Sequence, residues 1–233
     1  MPHFLLFSFL LGLCFNASAQ MTPEQALQSI RATYELPIDK FIAVEDVKGD
    51  MFFVSKNGRY AIKGTMIDVW SQEPLTTIAH ISESVDRLTL PSFSNDIDGF
   101  KPVVLGEGRE VVTVFTDPSC QSCAKLMNQI VGLKDRYTFK ILHVPVLGDQ
   151  SKELTKRLYC ADDEAARIAT ETLDYGDLDQ EPSCDMEAYE KRLLAADIVQ
   201  VRHVPFLVAP DRRIMRGNPK DLNAWLNSSS KEL

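Results

Sequence analysis

Two cysteines, Cys120 and Cys123, stand one helical turn apart and could carry out thiol–disulfide exchange. This chemistry needs an attacking thiolate and a second thiol close enough to resolve the mixed disulfide. The apolar run 111–115 before the pair predicts a strand buried on both faces, and apolar residues at helical spacing follow it. We therefore expect the pair to begin a helix, where unpaired backbone N–H groups stabilise the Cys120 thiolate and Cys123 lies deeper and protonated.

Cysteines at this spacing also fit half of a zinc site or a structural bridge. A zinc site would need Cys160 and Cys184, which are isolated, and no histidine lies at a ligand spacing from them, so no metal is expected. Removal of Cys14 with an export signal would leave four cysteines, which permit three pairings. The short spacing favours pairing of Cys120 with Cys123, which leaves Cys160 with Cys184.

The first residues indicate export. An apolar run over 4–15, too short to span a bilayer, leads into Ala17-Ser18-Ala19 and predicts a signal peptide at residues 1–19, although no Lys or Arg precedes the run. An even set of cysteines after cleavage suits an oxidising compartment. The net charge of −8, with scattered basic residues, argues against a nucleic-acid partner.

The pattern after the signal predicts a small α+β domain at residues 20–74. A capping sequence at Thr22 starts a helix that Pro37 ends. Its helical spacing is set by Ala26, Leu27, Ile30 and Tyr34. Short β-prone runs follow over 41–67, with Asn57-Gly58 as a hairpin turn, so we expect a small antiparallel sheet.

A linker helix and hinge are predicted over residues 75–102. The apolar face of this helix consists of Leu75, Ile78, Ile81, Val85 and Leu88. Pro91 closes the helix, and the polar stretch that follows predicts the domain boundary.

Residues 103–233 predict a second, α/β domain. The strand at 111–115, the cysteine helix and a second buried strand at 139–146 make a β-α-β unit. A charged, helix-prone stretch at about 151–201 reads as a helical insertion. A hairpin over 205–215 and a final helix starting near Asn218 complete the domain.

The active-site segment of the periplasmic disulfide isomerases DsbC and DsbG resembles residues 112–123, whose sequence is VTVFTDPSCQSC. Residues 51–69, with the hairpin and a Gly64-x-Met66-x-Asp68 pattern, are similar to the dimerisation domain of that family. The likeness spans nearly the whole chain after residue 19, and it implies a linker helix followed by a thioredoxin-like catalytic domain.

The resemblance also implies a set of roles and partners. Cys120 is the nucleophile and Cys123 the resolving thiol, Val204-Pro205 forms a cis-proline loop facing them, and Cys160 and Cys184 make a structural disulfide in the insertion. A V-shaped homodimer in the periplasm would act on misoxidised exported proteins and be kept reduced by a membrane thiol reductase of the DsbD type. The cysteines carry the electrons, so no cofactor is expected.

Two positions depart from the family pattern. Gln121-Ser122 replaces the more typical Gly-Tyr, and Val204 stands where the family usually has Thr. These departures leave open a monomeric or narrow-client thiol oxidase or reductase. A chaperone-like binding module with merely structural cysteines is a third hypothesis.

A few other residues have both a structural and a functional interpretation. Asp117 and Glu107 could accept a proton from Cys123, but acids near strand ends are more often turn or capping residues. His203 could tune a thiolate, although a loop histidine without a role is the favoured interpretation. Met51, Phe52 and Phe53 could line a client-binding surface, but their alternation in a strand favours core positions.

Overall fold

The computed structural model describes residues 28–36, 41–90, 97–176, 178, 180 and 183–228. The predicted signal peptide and the start of the first predicted helix lie outside these residues. Within the described ranges, no helix has the length and apolar character needed to cross a membrane.

The amino-terminal unit is built on a four-stranded antiparallel sheet. Its strands, in spatial order, are β1 (Ile30–Glu35), β2 (Phe41–Asp46), β3 (Met51–Ser55) and β4 (Ala61–Lys63). They are followed by a hairpin of β5 (Met66–Asp68) and β6 (Glu73–Leu75) and by helix α1 (Ile78–Val85). The predicted hairpin turn at Asn57-Gly58 is confirmed: Val54 pairs with Ala61 across it, and Gly58 adopts a φ of 69° that suits glycine.

The predicted helix from Thr22 to Pro37 is wrong over Ile30–Glu35, although Gln28, the first described residue, is helical. Residues Ile30–Glu35 form β1, which pairs with β2. Ile30 and Tyr34 are four residues apart, a spacing that puts two side chains on one face of a helix and equally on one face of a strand. Pairing with β2 satisfies the backbone of this segment, and Tyr34 then packs against the core that β2 and β3 form with α1.

Helix α1 is shorter than the predicted apolar face from Leu75 to Leu88. It begins after the N-cap residue Thr77, whose side chain accepts a backbone hydrogen bond from the first turn. Leu75 belongs to β6, and Leu88 lies in a core cluster of the carboxy-terminal unit, where its N–H donates to the Arg212 carbonyl at 2.9 Å. The chain after α1 therefore continues as an extended segment against the second unit, while the boundaries at 74 and 102 stay predictions.

The carboxy-terminal unit has a five-stranded sheet with helices on both faces. Its elements are β7 (Val103–Leu105), β8 (Glu110–Thr116), α2 (Gln121–Val131), β9 (Tyr137–His143), α3 (Asp149–Cys160), α4 (Asp163–Thr172), α5 (Met186–Ile198), β10 (Phe206–Val208), β11 (Ile214–Arg216) and α6 (Leu222–Asn227). The spatial order is β11-β10-β8-β9-β7, in which β8 and β9 are parallel. The β-α-β unit, the helical insertion, the later hairpin and the last helix are thus confirmed.

Strand β8 runs through the centre of the sheet and is covered on both faces. Val112 and Val114 pack with Leu126 of α2 in one core cluster. Phe115, pointing the other way, packs with Phe206 in a second cluster that includes residues of α5. Burial on both faces explains the continuous apolar run, and it fixes the end of β8, where the cysteines follow.

Candidate active site

The position of Cys120 is set by a turn between β8 and α2. The N–H of Cys120 donates to the Asp117 carbonyl at 3.0 Å, which closes a turn over Asp117, Pro118 and Ser119. Proline in the second position of such a turn supplies the required φ. Cys120 then becomes the N-cap of α2, and its Sγ accepts the N–H of Cys123 at 3.1 Å. The sulfur therefore occupies the place where a helix stabilises negative charge.

Cys123 lies in the first turn of α2, beneath Cys120. It is 2% exposed, against 9% for Cys120, and both are free thiols in this structure. Burial, and next its hydrogen bond with Cys120, raise the pKa of Cys123 to about 12, although hydrogen bonds from the Thr116 side chain and the Asp117 backbone act the other way. Cys123 is thus the protonated, shielded member of the pair, and Cys120 is the outer one.

The loop at Val204 and Pro205 comes close to the outer sulfur. Strand β10 lies beside β8 with Phe206 opposite Phe115, so the residues just before β10 reach the end of β8. The Val204–Pro205 peptide bond is cis, and the Cys120 thiol donates to the Val204 carbonyl at 3.7 Å. This brings together four residues that the sequence analysis singled out.

Asp117 lies at the centre of this loop region. Its carboxylate is 1% exposed and accepts a hydrogen bond from the Ser119 N–H at 2.8 Å, within the cysteine turn. Backbone and side-chain donors from the segment after β9 bind its other oxygen. These contacts are those of a turn-forming residue, which was the favoured interpretation. Glu107 is exposed and precedes the opposite end of β8, so it is not brought to the cysteines.

Sequence reasoning missed the polar residues that the insertion brings to this edge of the sheet. Ser151 donates to the Asp117 carboxylate at 2.5 Å. Tyr175 packs edge-on against the His143 ring, with centroids 6.3 Å apart. Burial, and then the neighbouring charges of Cys123 and Asp117, raise the pKa of Tyr175. No sequence motif marks these residues, because they meet the cysteines only through the fold.

The remaining cysteines form a disulfide between Cys160 and Cys184, with Cα atoms 5.1 Å apart. The bridge joins the end of α3 to the segment before α5, and the Met186 sulfur lies 3.8 Å from Cys184. Because these two sulfurs are bonded to each other, they are not available as metal ligands in this structure.

The other candidate residues lie away from the cysteine turn or at the surface. Met51 and Phe53 are buried in the amino-terminal core, as their alternation predicts, whereas Phe52 is half-buried beneath the Lys63 ammonium. His203 is exposed in the loop before Val204.

A model of the thioredoxin-like domain matches residues 102–224, more than half of the 233-residue chain. The probable thiol:disulfide interchange protein DsbC of Bordetella avium is 26% identical over 164 residues, which cover 65% of this chain and 57% of that protein. The thiol:disulfide interchange protein DsbC of Escherichia coli K12 is 25% identical over 191 residues, covering 78% of this chain and 75% of that one. The chain thus spans less than two thirds of the length of the Bordetella relative.

Among solved structures, a linker-deletion mutant of Proteus mirabilis ScsC superposes with a TM-score of 0.51 at 13% identity, covering 65% of this chain and 87% of that one. At that identity the likeness concerns the fold. The match to the domain model shows that the chain belongs to the thioredoxin-like family, and within that family its sequence is similar to DsbC proteins.

Proposed function

We propose that the protein is a thiol–disulfide oxidoreductase that isomerises wrong disulfides in exported proteins. The observation that carries the proposal is the asymmetry of the cysteine pair. Cys120 caps α2 with its sulfur 3.1 Å from the Cys123 N–H and 3.7 Å from the Val204 carbonyl, while Cys123 is buried and protonated. An outer nucleophile and a shielded resolving thiol are what disulfide exchange requires.

In the first step, the Cys120 thiolate attacks one sulfur of a client disulfide. A new bond forms between Cys120 and that sulfur, and the other client sulfur leaves as a thiolate that takes up a proton. If a second client thiolate then attacks the mixed disulfide, Cys120 is released as a thiolate and the client is isomerised without net oxidation. Cys120 thus acts as a catalyst that is regenerated unchanged.

Cys123 provides the alternative exit from the mixed disulfide. After losing its proton it attacks the Cys120 sulfur, which expels the client as a thiol and leaves a Cys120–Cys123 disulfide. The client gains two electrons and the enzyme loses two. A thiol reductase in the membrane, of the DsbD type, would restore the dithiol. Burial of Cys123, which raises the pKa of its thiol, disfavours the thiolate that this exit needs and so favours isomerisation.

The loop at Val204 and Pro205 is proposed to hold the client chain. The carbonyl of Val204 lies beside the attacking sulfur, and main-chain groups at such a position can pair with an extended peptide of any sequence. Recognition through the backbone suits a broad set of misoxidised clients.

We also propose that the protein works as a homodimer assembled through the amino-terminal unit. In the described part of the chain, β4 is an edge strand, and exposed apolar side chains lie just before it, on it and after it in the sequence. They are Tyr60, Ile62, Ile67 and Val69, each more than half exposed. An unprotected strand edge with apolar side chains favours pairing with a second copy. Sedimentation tests this: Ile62→Asp should yield monomers, whereas Ile168→Asp, at an exposed position of α4, should not.

The periplasm is the proposed compartment. The disulfide in the insertion and the predicted signal peptide both suit an oxidising environment outside the cytosol.

The deciding experiment is the recovery of activity by a scrambled, fully oxidised protein with several disulfides, under mildly reducing conditions. Wild type should restore activity, Cys120→Ala should not, and Cys123→Ala should retain part of the isomerisation. If wild type rapidly oxidises or reduces simple dithiols but does not reshuffle the scrambled protein, the proposed isomerase function is wrong. A narrow-client oxidase or reductase then takes its place. Full retention of client protection in Cys120→Ala, with no exchange activity in wild type, would favour a binding module.

A further inference from the structure

The buried carboxylate of Asp117 joins the cysteine turn to the helical insertion. One oxygen accepts the Ser119 N–H at 2.8 Å. The other accepts the N–H groups of Val146 at 2.8 Å and Leu147 at 2.9 Å, and the Ser151 hydroxyl at 2.5 Å. Ser151 is fully buried in the first turn of α3, 34 residues from Asp117 in the chain. Four donors on a carboxylate that is 1% exposed form a complete set of partners for a buried charge.

The backbone of the same residue determines where Cys120 lies. The Asp117 carbonyl accepts the Cys120 N–H at 3.0 Å, and its side chain holds Ser119 from within the turn. On the other side, Asp117 follows directly on β8, whose last residue Thr116 accepts the Val144 N–H at 2.8 Å. The strand anchors one end of the turn, and the carboxylate anchors its middle. With this turn closed, the sulfur of Cys120 lies 3.1 Å from the Cys123 nitrogen and accepts its N–H.

We propose that Asp117 is a positioning residue for the redox pair, and that Ser151 makes the helical insertion a working part of that site. The proposal rests on the thiol–disulfide exchange proposed above. Through Asp117, the start of α3 holds the turn in the form in which Cys120 caps α2 and its sulfur accepts the Cys123 N–H. The insertion thereby sets how strongly the reduced form is favoured.

The expected direction of the change in reduction potential depends on which redox form needs the closed turn. In the dithiol form, the Cys120 sulfur is held in place by the N–H of Cys123 at the start of α2. In the disulfide form the sulfurs are held by their covalent bond. Loosening the turn therefore weakens the reduced form more than the oxidised one, and the reduction potential of the pair falls.

A matched pair of variants separates this role from ordinary stabilisation of the fold. Ser151→Ala removes the hydroxyl that binds Asp117. Thr155→Val removes a hydroxyl one turn further along α3 that is equally buried and has no hydrogen-bond partner within the described residues. Asp117→Asn, which keeps the size of the side chain but must turn an N–H₂ group toward existing donors, is the stronger perturbation.

The experiment is equilibration of the full-length protein in glutathione redox buffers, with the reduced fraction read from the mass shift after alkylation. The unfolding midpoint is measured in parallel. We expect Ser151→Ala to lower the equilibrium constant for reduction about fivefold, which corresponds to about 20 mV, and Asp117→Asn to lower it further. Thr155→Val should leave the constant at the wild-type value.

Two results would overturn the proposal. One is a wild-type potential in Ser151→Ala together with a lowered unfolding midpoint, which would make the contact merely structural. The other is an equal shift in Thr155→Val, which would assign the effect to repacking of α3. The potential is measured with glutathione, so it can be obtained even if wild type fails to exchange client disulfides. Failure of the proposed function can therefore be distinguished from failure of this inference. If Asp117→Asn does not fold, the comparison of Ser151→Ala with Thr155→Val still tests the proposal.

Discussion

His143 should make the protein sensitive to mild acid. It ends β9 and is 1% exposed, with Nε2 at 2.9 Å from the Thr170 hydroxyl. Burial, and then the neighbouring Arg192 guanidinium, lower the pKa of His143 to about 3. Both causes oppose a positive charge on the ring, so the imidazole is neutral in the folded protein.

The sign and size of the effect follow from linkage. Between a pKa of about 3 in the folded chain and about 6.5 in the unfolded chain, only the unfolded chain binds a proton on this ring. The contribution to stability is complete above about pH 6.5 and is lost progressively as the pH falls toward 3. Acidification from about pH 7 to about pH 5 should remove about 2 kcal/mol of the free energy of unfolding through this residue alone.

The assay is urea unfolding at several pH values, followed by tryptophan fluorescence, since Trp225 packs in the core of the carboxy-terminal unit. His143→Gln can keep a hydrogen bond to Thr170 but does not titrate. The stability of this variant should fall by about 2 kcal/mol less than that of wild type over the same pH interval. His80→Gln, at an exposed histidine, serves as the control and should follow wild type. Parallel pH profiles of wild type and His143→Gln would refute the reasoning.

Further predictions concern the cysteines and the core. In the reduced protein near neutral pH, iodoacetamide should modify Cys120 well before Cys123, because the pKa of Cys123 is raised to about 12; peptide mapping that finds Cys123 modified first would contradict this. Replacing both Cys160 and Cys184 by Ala should lower the free energy of unfolding by about 3.5 kcal/mol, the loop-closure value for their 24-residue separation, as checked by denaturant titration. Leu126→Ala should cost about 3 kcal/mol in the same titration, since Leu126 is fully buried under β8; a loss below about 1 kcal/mol would mean that the site collapses around the deletion.

The elements around the cysteines could be predicted because each carries its own local signal. Residues 111–115 are apolar except for Thr113, since β8 is buried on both faces from Val112 onward, and the apolar period of α2 follows directly. The predicted helix extends wrongly over β1 because the spacing of Ile30 and Tyr34 fits a helix as well as a strand. In β1 the choice between them is made by the partner strand β2, a tertiary contact that no local pattern contains.

The residues that hold Asp117 in place could not be predicted from the sequence, for a related reason. Asp117 stands out as an acid near a strand end, but its donors Val146, Leu147 and Ser151 come from a loop and a helix about 30 residues away. A backbone N–H has no residue identity, so two of these donors leave no trace in the amino-acid types. The serine is one of several in the chain, and only the course of the chain after β9 selects it.

The topology of the sheet explains why the cysteine turn, the loop after β9 and the loop before β10 lie together. Strands β8 and β9 are parallel, so the cysteine turn after Thr116 and the loop after His143 leave the sheet at the same edge. Strand β10 runs antiparallel to β8 and enters the sheet at that edge, which delivers Val204 to Cys120. The insertion lies between β9 and β10 in the chain, and so both of its ends are fixed beside the cysteines. A helical segment placed there is within reach of the redox pair, and the hydrogen bond from Ser151 to Asp117 is the contact through which it acts in our proposal.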